Sequence, residues 1–309
     1  MTQHRLDPTP ETVVEVFSRD STPVLTVDPG DRLVVRSLDA SGYLAPQHSP
    51  GDRPPTMFSP SRGHCLTGPV EVRGAQVGDH LAVRIAALQP DTWGWTVAAA
   101  VDNPLNRRLG VTGSDPAWLL WSIDTAAGTA TDQHGFRRAL APFLGVLGVA
   151  PAEAGEHSTI PPRTDSGGNI DCRELVAGST LYLPVQVPGA LLSLGDGHAA
   201  QGDGEVGGTA IECGMTTDVV LDLAAGRPVH GIHAETPDAF LTFGFSEDLN
   251  EATGDALDAM LTWMQALHQV DRATALALAS TCVDLRITQV VNQTWGVHAV
   301  LPHDVLTRG

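Results

Sequence analysis

The stretch "PVLTVDPGDRLVVRSLDA" at residues 23–40 alternates apolar and polar side chains on both sides of Gly30-Asp31. Alternation with a period of two places the apolar side chains on one face of a β-strand, and a Gly-Asp pair suits a tight turn. The same pattern returns as "PVEVRGAQVGDHLAVRIAAL" at residues 69–88, around Gly78-Asp79. Both stretches are therefore predicted to form related β-hairpins.

Further strands are predicted where looser versions of this pattern occur, at residues 174–187 and 216–229. After residue 245 the pattern becomes helical. Apolar residues recur at helical spacing between residues 248 and 270, namely Leu257, Met260, Leu261, Met264 and Leu267. Asp271 is predicted to cap a second helix that ends near residue 281, and residues 283–292 return to a strand.

These elements predict an α+β fold that is mainly β. We expect β-sandwich or barrel-like sheets built from related hairpins, with a helical segment near the C-terminus. With 309 residues, the chain is long enough for one large unit. We expect that unit to span residues 1–309, with a β-rich part over 1–245 and an α+β part over 246–309.

Composition excludes several classes of function. The formal net charge is -18, so the surface repels phosphate backbones, and nucleic acid is not expected as a partner. No apolar run approaches the roughly 20 residues that a membrane span needs, so no membrane partner is expected. All 18 basic residues are arginines, which excludes amide chemistry that depends on lysine.

The expected location is cytoplasmic. The first residues, "MTQHRLDPTPETVVEV", lack the basic start and apolar core of a secretory signal. The 4 cysteines are scattered without a CxxC pair and are interpreted as reduced thiols.

The acidic loop, "LLSLGDGHAAQGDGEVGGTAIE" at residues 191–212, carries the most specific chemical signal in the sequence. Asp196, His198, Asp203 and Glu205 fall within ten residues, and Glu212 follows the next apolar run. Oxygen and imidazole donors of this kind suit a divalent metal or a general acid and base. The same loop is also compatible with a solvated connection, because Gly-Asp pairs are ordinary turn residues and no closed ligand motif such as HExxH is present.

A longer stretch that contains this loop, "GGNIDCRELVAGSTLYLPVQVPGALLSLGDGHAAQGDGEVGGTAIE" at residues 167–212, resembles the signature region of the acetamidase/formamidase family. "LTGPVEVRGAQVGDHLAVRI" at residues 66–85 and "DLRITQVVNQTWGVHAVLP" at 284–302 extend the resemblance over nearly the whole chain. The resemblance implies hydrolysis of a short-chain amide to a carboxylate and ammonia by a β-rich homodimer or higher homo-oligomer. It also implies a divalent metal, zinc or calcium, near the acidic loop.

The residues that match the family's motifs are Asp39, Asn169, Asp171, Asp196, His198, Asp203, Glu205 and Glu212. We expect Asp196 and His198 to be metal ligands, with Asp39 completing the set. Glu205 or Glu212 is expected to shuttle the proton, with Asp171 among the catalytic acids and Asp203 orienting a neighbour. Asn169 and His64 are expected to bind substrate. His64-Cys65 departs from the histidine or asparagine followed by proline that many members carry there, so the pocket is expected to differ.

Three alternatives stay open at this stage. Cys172 and Cys213 flank acids in the signature region, and either would serve as a nucleophile if its thiol were activated. The chain is also interpretable as a non-catalytic protein with a calcium-type site in the acidic loop. A third interpretation is an amidohydrolase of larger or cyclic amides. Release of ammonia from short amides separates a short-amide hydrolase from the last two interpretations.

Overall fold

The computed structural model describes residues 1–307, and most of its regular structure is β-strand. The strands are β1 Gln3–Leu6, β2 Val13–Val14, β3 Val16–Phe17, β4 Leu25–Val27, β5 Asp31–Ser37, β6 Leu66–Val72, β7 His80–Pro90, β8 Trp93–Ala98, β9 Ala117–Asp124, β10 Thr129–Asp132, β11 Arg137–Ala139, β12 Phe143–Gly148, β13 His157–Ser158, β14 Gly167–Asn169, β15 Thr180–Pro184, β16 Leu192–His198, β17 Glu212–Cys213, β18 Met215–Ala224, β19 His233–Glu235, β20 Ala239–Ser246, β21 Asp284–Gln289 and β22 Trp295–Pro302. The helices are α1 Pro104–Leu109, α2 Leu249–His268 and α3 Arg272–Cys282.

Two large sheets share one apolar core. The nine-stranded sheet has the order β1-β5-β18-β7-β15-β19-β20-β22-β21. The eleven-stranded sheet follows β11-β10-β9-β8-β17-β16-β12-β14, and β6 joins it through β16, with β2 and β4 beside β6. Leu33 and Leu81 from the first sheet and Leu192 from the second are fully buried in the same cluster. The mainly β prediction is confirmed, and within residues 1–307 neither sheet closes into a barrel.

The two Gly-Asp segments do not form hairpins. β4 pairs in parallel with β6 in the eleven-stranded sheet, whereas β5 and β7 both pair with β18 in the nine-stranded sheet. Gly30 at φ 83° and Gly78 at φ 101° therefore sit in turns that carry the chain from one sheet to the other. The strands and turns were predicted correctly, but the pairing was wrong, because alternation fixes which face is buried and not which strand lies alongside.

The helical segment follows β20 as predicted. Asp248 caps α2 by accepting a hydrogen bond from the Asn250 backbone N–H, and Asp271 caps α3 by accepting from Thr274. Met260 and Met264 of α2 are fully buried in an apolar cluster that includes residues of β22. Since β22 also pairs with β20, the C-terminal part is hydrogen-bonded into the nine-stranded sheet.

None of the helices within residues 1–307 is long and apolar enough to cross a membrane.

Candidate functional site

The candidate site forms around the end of β16, inside the eleven-stranded sheet. β16 lies between β17 and β12, and His198 is directly opposite Glu212 on one side and Phe143 on the other. Side chains opposite each other in an antiparallel pair lie on the same face of the sheet. Asp196 is two residues before His198, so it is directed to that face as well.

Two groups of possible ligands share His198. Its Nε2 atom lies 3.3 Å from Asp196 Oδ1 and 3.3 Å from Glu212 Oε1. Asp171 and Glu205 form the second group with His198, and the ligand atoms of each group lie within 4.8 Å of one another. The five side chains are buried, with exposed fractions of at most 6%. The fold therefore brings together residues from β16, from β17, from the connection between these two strands and from the segment after β14.

Gly145 of β12 provides the space that these side chains occupy. A Cβ atom at Gly145 would lie 2.8 Å from Asp171 Oδ1 and 2.9 Å from His198 Cε1, and closer still to Asp196 Oδ2. Ordinary van der Waals contacts begin at 3.4 Å, so a larger residue would displace all three side chains. Only glycine leaves the acids free to converge here.

Backbone strain is concentrated at the same place. Asp171 (φ 53°), Asp196 (φ 58°), Glu205 (φ 44°) and Asn292 (φ 56°) all adopt the left-handed region that favours glycine. Such conformations cost about 1 to 3 kcal/mol each and persist only where the surrounding structure imposes them. The strain marks this cluster as one whose geometry the fold specifies closely.

Asn292 is a site residue that sequence analysis missed. It lies in the loop between β21 and β22, and its Nδ2 atom donates a hydrogen bond to Asp171 Oδ2 at 2.8 Å. The residue falls inside the segment 284–302 that resembles the family, but a single asparagine 121 positions from its partner gives no spacing signal. Its amide links the C-terminal strands to the acidic cluster.

The carboxyl groups of the cluster have pKa values that are shifted in opposite directions. Burial raises the pKa of Glu205 and of Glu212 to about 8 each, and burial with the neighbouring Glu205 charge raises the pKa of Asp171 well above its usual range. Burial also acts to raise the pKa of Asp196, but His198 and His64 outweigh it and hold that pKa below its ordinary value. An ionised carboxylate thus lies beside acids that retain protons near neutral pH, an arrangement suited to proton transfer.

Several polar atoms of the cluster have no hydrogen-bond partner among residues 1–307. They are Asp171 Oδ1, Asp196 Oδ1, Glu212 Oε2 and both ring nitrogens of His198, whose Nε2 atom makes only the two 3.3 Å ion-pair contacts given above. Burying such groups without a partner is costly, and carboxylate and imidazole donors together match the preferences of divalent transition metals. The group Asp196, His198 and Glu212 could therefore hold a metal ion.

The structure places Asp39 and Asp203 outside both groups. Asp39 is buried and accepts a hydrogen bond from the Tyr43 backbone N–H at 3.3 Å, and burial raises its pKa to about 7. The geometry favours Glu212 over the expected Asp39 as the third member of the ligand set. Asp203 is 35% exposed at its side chain and lies 3.8 Å from Arg173 Nε.

His64 and Asn169 lie at the periphery of the cluster. His64 Nε2 is 3.9 Å from Asp196 Oδ2, while its Nδ1 atom is 3.1 Å from Thr159 Oγ1. His64 also lines a cleft of about 440 Å³. Asn169 is buried on β14 and donates from Nδ2 to the Ile160 carbonyl at 3.1 Å, and its Oδ1 atom has no partner within residues 1–307.

Both candidate cysteine nucleophiles are fully buried. Burial raises the pKa of the Cys172 and Cys213 thiols well above their usual range. Cys172 Sγ donates to Glu174 Oε2 at 3.3 Å. A neutral, enclosed thiol is a poor nucleophile.

A family profile, curated relatives and solved structures all match this chain over much of its length. The profile of the acetamidase/formamidase family matches residues 3–157 and 152–308. An acetamidase of Mycolicibacterium smegmatis is 30% identical over 65% of this chain and 63% of its own length. A formamidase of Methylophilus methylotrophus is 27% identical over 79% of this chain and 74% of its own. The crystal structure of an acetamidase from Bacillus halodurans has a TM-score of 0.85 and 28% identity, and the match covers 96% of this chain and 97% of that one.

Proposed function

The chain belongs to the acetamidase/formamidase family, and from this membership we propose that it hydrolyses the C–N bond of short linear amides of the formamide or acetamide type to a carboxylate and ammonia. The observation that carries the proposal is the buried convergence of acids and His198 on Gly145. Amide hydrolysis needs an activated water, stabilisation of the oxyanion and an acid for the leaving nitrogen. The cluster offers groups for each task without lysine.

Asp196, His198 and Glu212 are the proposed ligands of a divalent metal. A set that mixes imidazole with carboxylates favours zinc over calcium, because calcium prefers oxygen donors alone. A zinc ion held there would polarise the amide carbonyl and lower the pKa of a bound water. The unpartnered atoms of these three side chains support the assignment.

Glu205 is the proposed proton shuttle. It contacts the cluster through His198 but lies outside the proposed ligand set, and its pKa, raised by burial to about 8, suits proton exchange near neutral pH. In its ionised form it would accept the proton of the attacking water, and as the resulting acid it would deliver that proton to the departing nitrogen. Asp171, fixed by the Asn292 amide, holds the position beside Glu205.

His64 and Asn169 are the proposed substrate contacts. Nδ1 of His64 lies 3.1 Å from Thr159 Oγ1 and its Nε2 atom lies 3.9 Å from Asp196 Oδ2, and this Nε2 atom would donate to the amide carbonyl oxygen. The unpartnered Oδ1 atom of Asn169 is an acceptor for an amide N–H. We further propose that the protein is cytoplasmic and that it forms a homodimer or higher homo-oligomer. Sedimentation measures its molar mass and so tests the oligomeric state.

The test is ammonia release from formamide, acetamide and propionamide by zinc-loaded protein. We expect turnover of at least one amide, and a loss of about 10² to 10⁴ in kcat for Glu205→Gln. Asp203→Asn is the matched control, since Asp203 lies in the same loop but outside the cluster, and it should retain activity. Failure of the wild-type protein to hydrolyse any amide, including larger and cyclic ones, would favour the non-catalytic metal-binding interpretation.

A further inference from the structure

A cleft of about 1060 Å³ adjoins the acidic loop. Its lining is mainly apolar and includes Val97, Val101, Leu105, Ile160, Val291 and Trp295. Pockets that bury drug-sized ligands have volumes of roughly 300 to 1,000 Å³. The cleft is thus far larger than formamide or acetamide requires, since neither carries more than one methyl group beyond its amide.

The walls of this cleft are tied to the acidic cluster. Asn292 lines the cleft and donates from Nδ2 to Asp171. Gly208 also lines it, and its backbone N–H donates to the Glu205 carbonyl at 2.8 Å. A group that occupies the cleft would therefore contact residues that are hydrogen-bonded to Asp171 and Glu205.

The cleft shares one lining residue with the smaller cleft that contains His64. Ile160 lines both, and its carbonyl accepts the hydrogen bond from Asn169. The smaller cleft is lined mainly by polar side chains and the larger one mainly by apolar side chains.

We propose that this apolar cleft is an acyl-chain subsite, and that the preferred substrates are linear primary amides with an unbranched apolar chain several carbons longer than that of acetamide. The inference rests on the proposed amide hydrolysis. Each methylene that the cleft removes from water should raise kcat/KM about fourfold. Hexanamide should therefore be a better substrate than acetamide by a factor that grows with each added carbon.

The test compares kcat/KM for acetamide, butanamide and hexanamide in wild-type protein and two variants. Val101→Asp places a charge in the cleft, where Val101 is 65% exposed. Val77→Asp is the matched control, since Val77 is 64% exposed but lies in the turn before β7, outside the cleft. We expect Val101→Asp to lower the hexanamide to acetamide ratio about tenfold, the loss of between one and two buried methylenes, and Val77→Asp to keep the wild-type ratio.

The possible outcomes separate this inference from the proposed function. Turnover of acetamide with no gain for hexanamide would overturn the acyl-chain subsite and leave the amidase proposal standing. Absence of turnover with every amide would remove both. A change in molar mass of Val101→Asp in sedimentation equilibrium, without one in Val77→Asp, would show that a second copy of the chain covers the cleft, and would also overturn the inference.

Discussion

Gly145→Ala should disable the site while leaving the fold intact. The added Cβ atom would stand 2.8 Å from Asp171 Oδ1 and 2.9 Å from His198 Cε1, against an ordinary contact of at least 3.4 Å. These two side chains must therefore withdraw by about 0.5 Å, and Asp196 by more, which approaches the roughly 1 Å misplacement that costs about 10²-fold in rate. We expect kcat/KM for acetamide to fall about 100-fold.

The control for this variant is Gly202→Ala. Gly202 lies in the acidic loop four residues after His198, and a Cβ atom there meets nothing within 4 Å. Its backbone, like that of Gly145, is outside the left-handed region within the described residues, so alanine is compatible with both conformations. Ammonia release, bound zinc and circular dichroism should be measured on both variants. Wild-type kcat/KM in folded Gly145→Ala would refute the claim that the acids must converge on this glycine.

Further perturbations separate the roles within the site. Asp196→Ala should lose bound zinc and turnover together, because removing a ligand weakens the metal site as well as the chemistry, whereas Glu205→Gln should keep its zinc. Metal analysis beside kinetics checks this. Zinc retained in Asp196→Ala would disprove the ligand assignment. Cys172→Ser and Cys213→Ser should each keep most of the ammonia-releasing activity, and loss of several orders of magnitude in either folded variant would indicate a covalent thioester. Burial acts to raise the pKa of Glu174, but its hydrogen-bond and charge partners hold it at about 2, below the ordinary 4.5. Its contribution to stability is therefore complete above pH 4.5 and is lost as pH falls toward 2. The free energy of unfolding of Glu174→Gln, measured with urea, should therefore depend less on pH across that range than that of the wild-type protein. An unchanged dependence would contradict this account.

Local signals predicted local structure well. The apolar spacing between residues 248 and 270 and the predicted cap Asp271 located α2 and α3 to within a few residues, because a helix is specified by its own sequence. Strand pairing was not predicted correctly. The partner of Arg32 on β18 is Val220, and nothing in the alternation around Gly30-Asp31 indicates so distant a neighbour.

The site shows the same division. Asp196, His198 and Glu205 lie close together in the sequence, and the family resemblance added Asp171, so these acids were predicted as a set. Gly145 and Asn292 were missed because each comes from a separate segment and carries no motif of its own. Asp39 was assigned to the ligand set on resemblance alone, and the fold places it in contact with Tyr43 instead.

The hydrogen bond from Asn292 to Asp171 also has a consequence for the order of folding. Asn292 precedes β22, the last strand within residues 1–307, and β22 enters the nine-stranded sheet by pairing with β20, which lies far earlier in the sequence. Non-local pairings of this kind form late and slowly, since the intervening chain must first lose its entropy. We expect a chain still under synthesis to carry all five buried side chains of the cluster without their final arrangement, and activity to appear only after the C-terminal strands have left the ribosome.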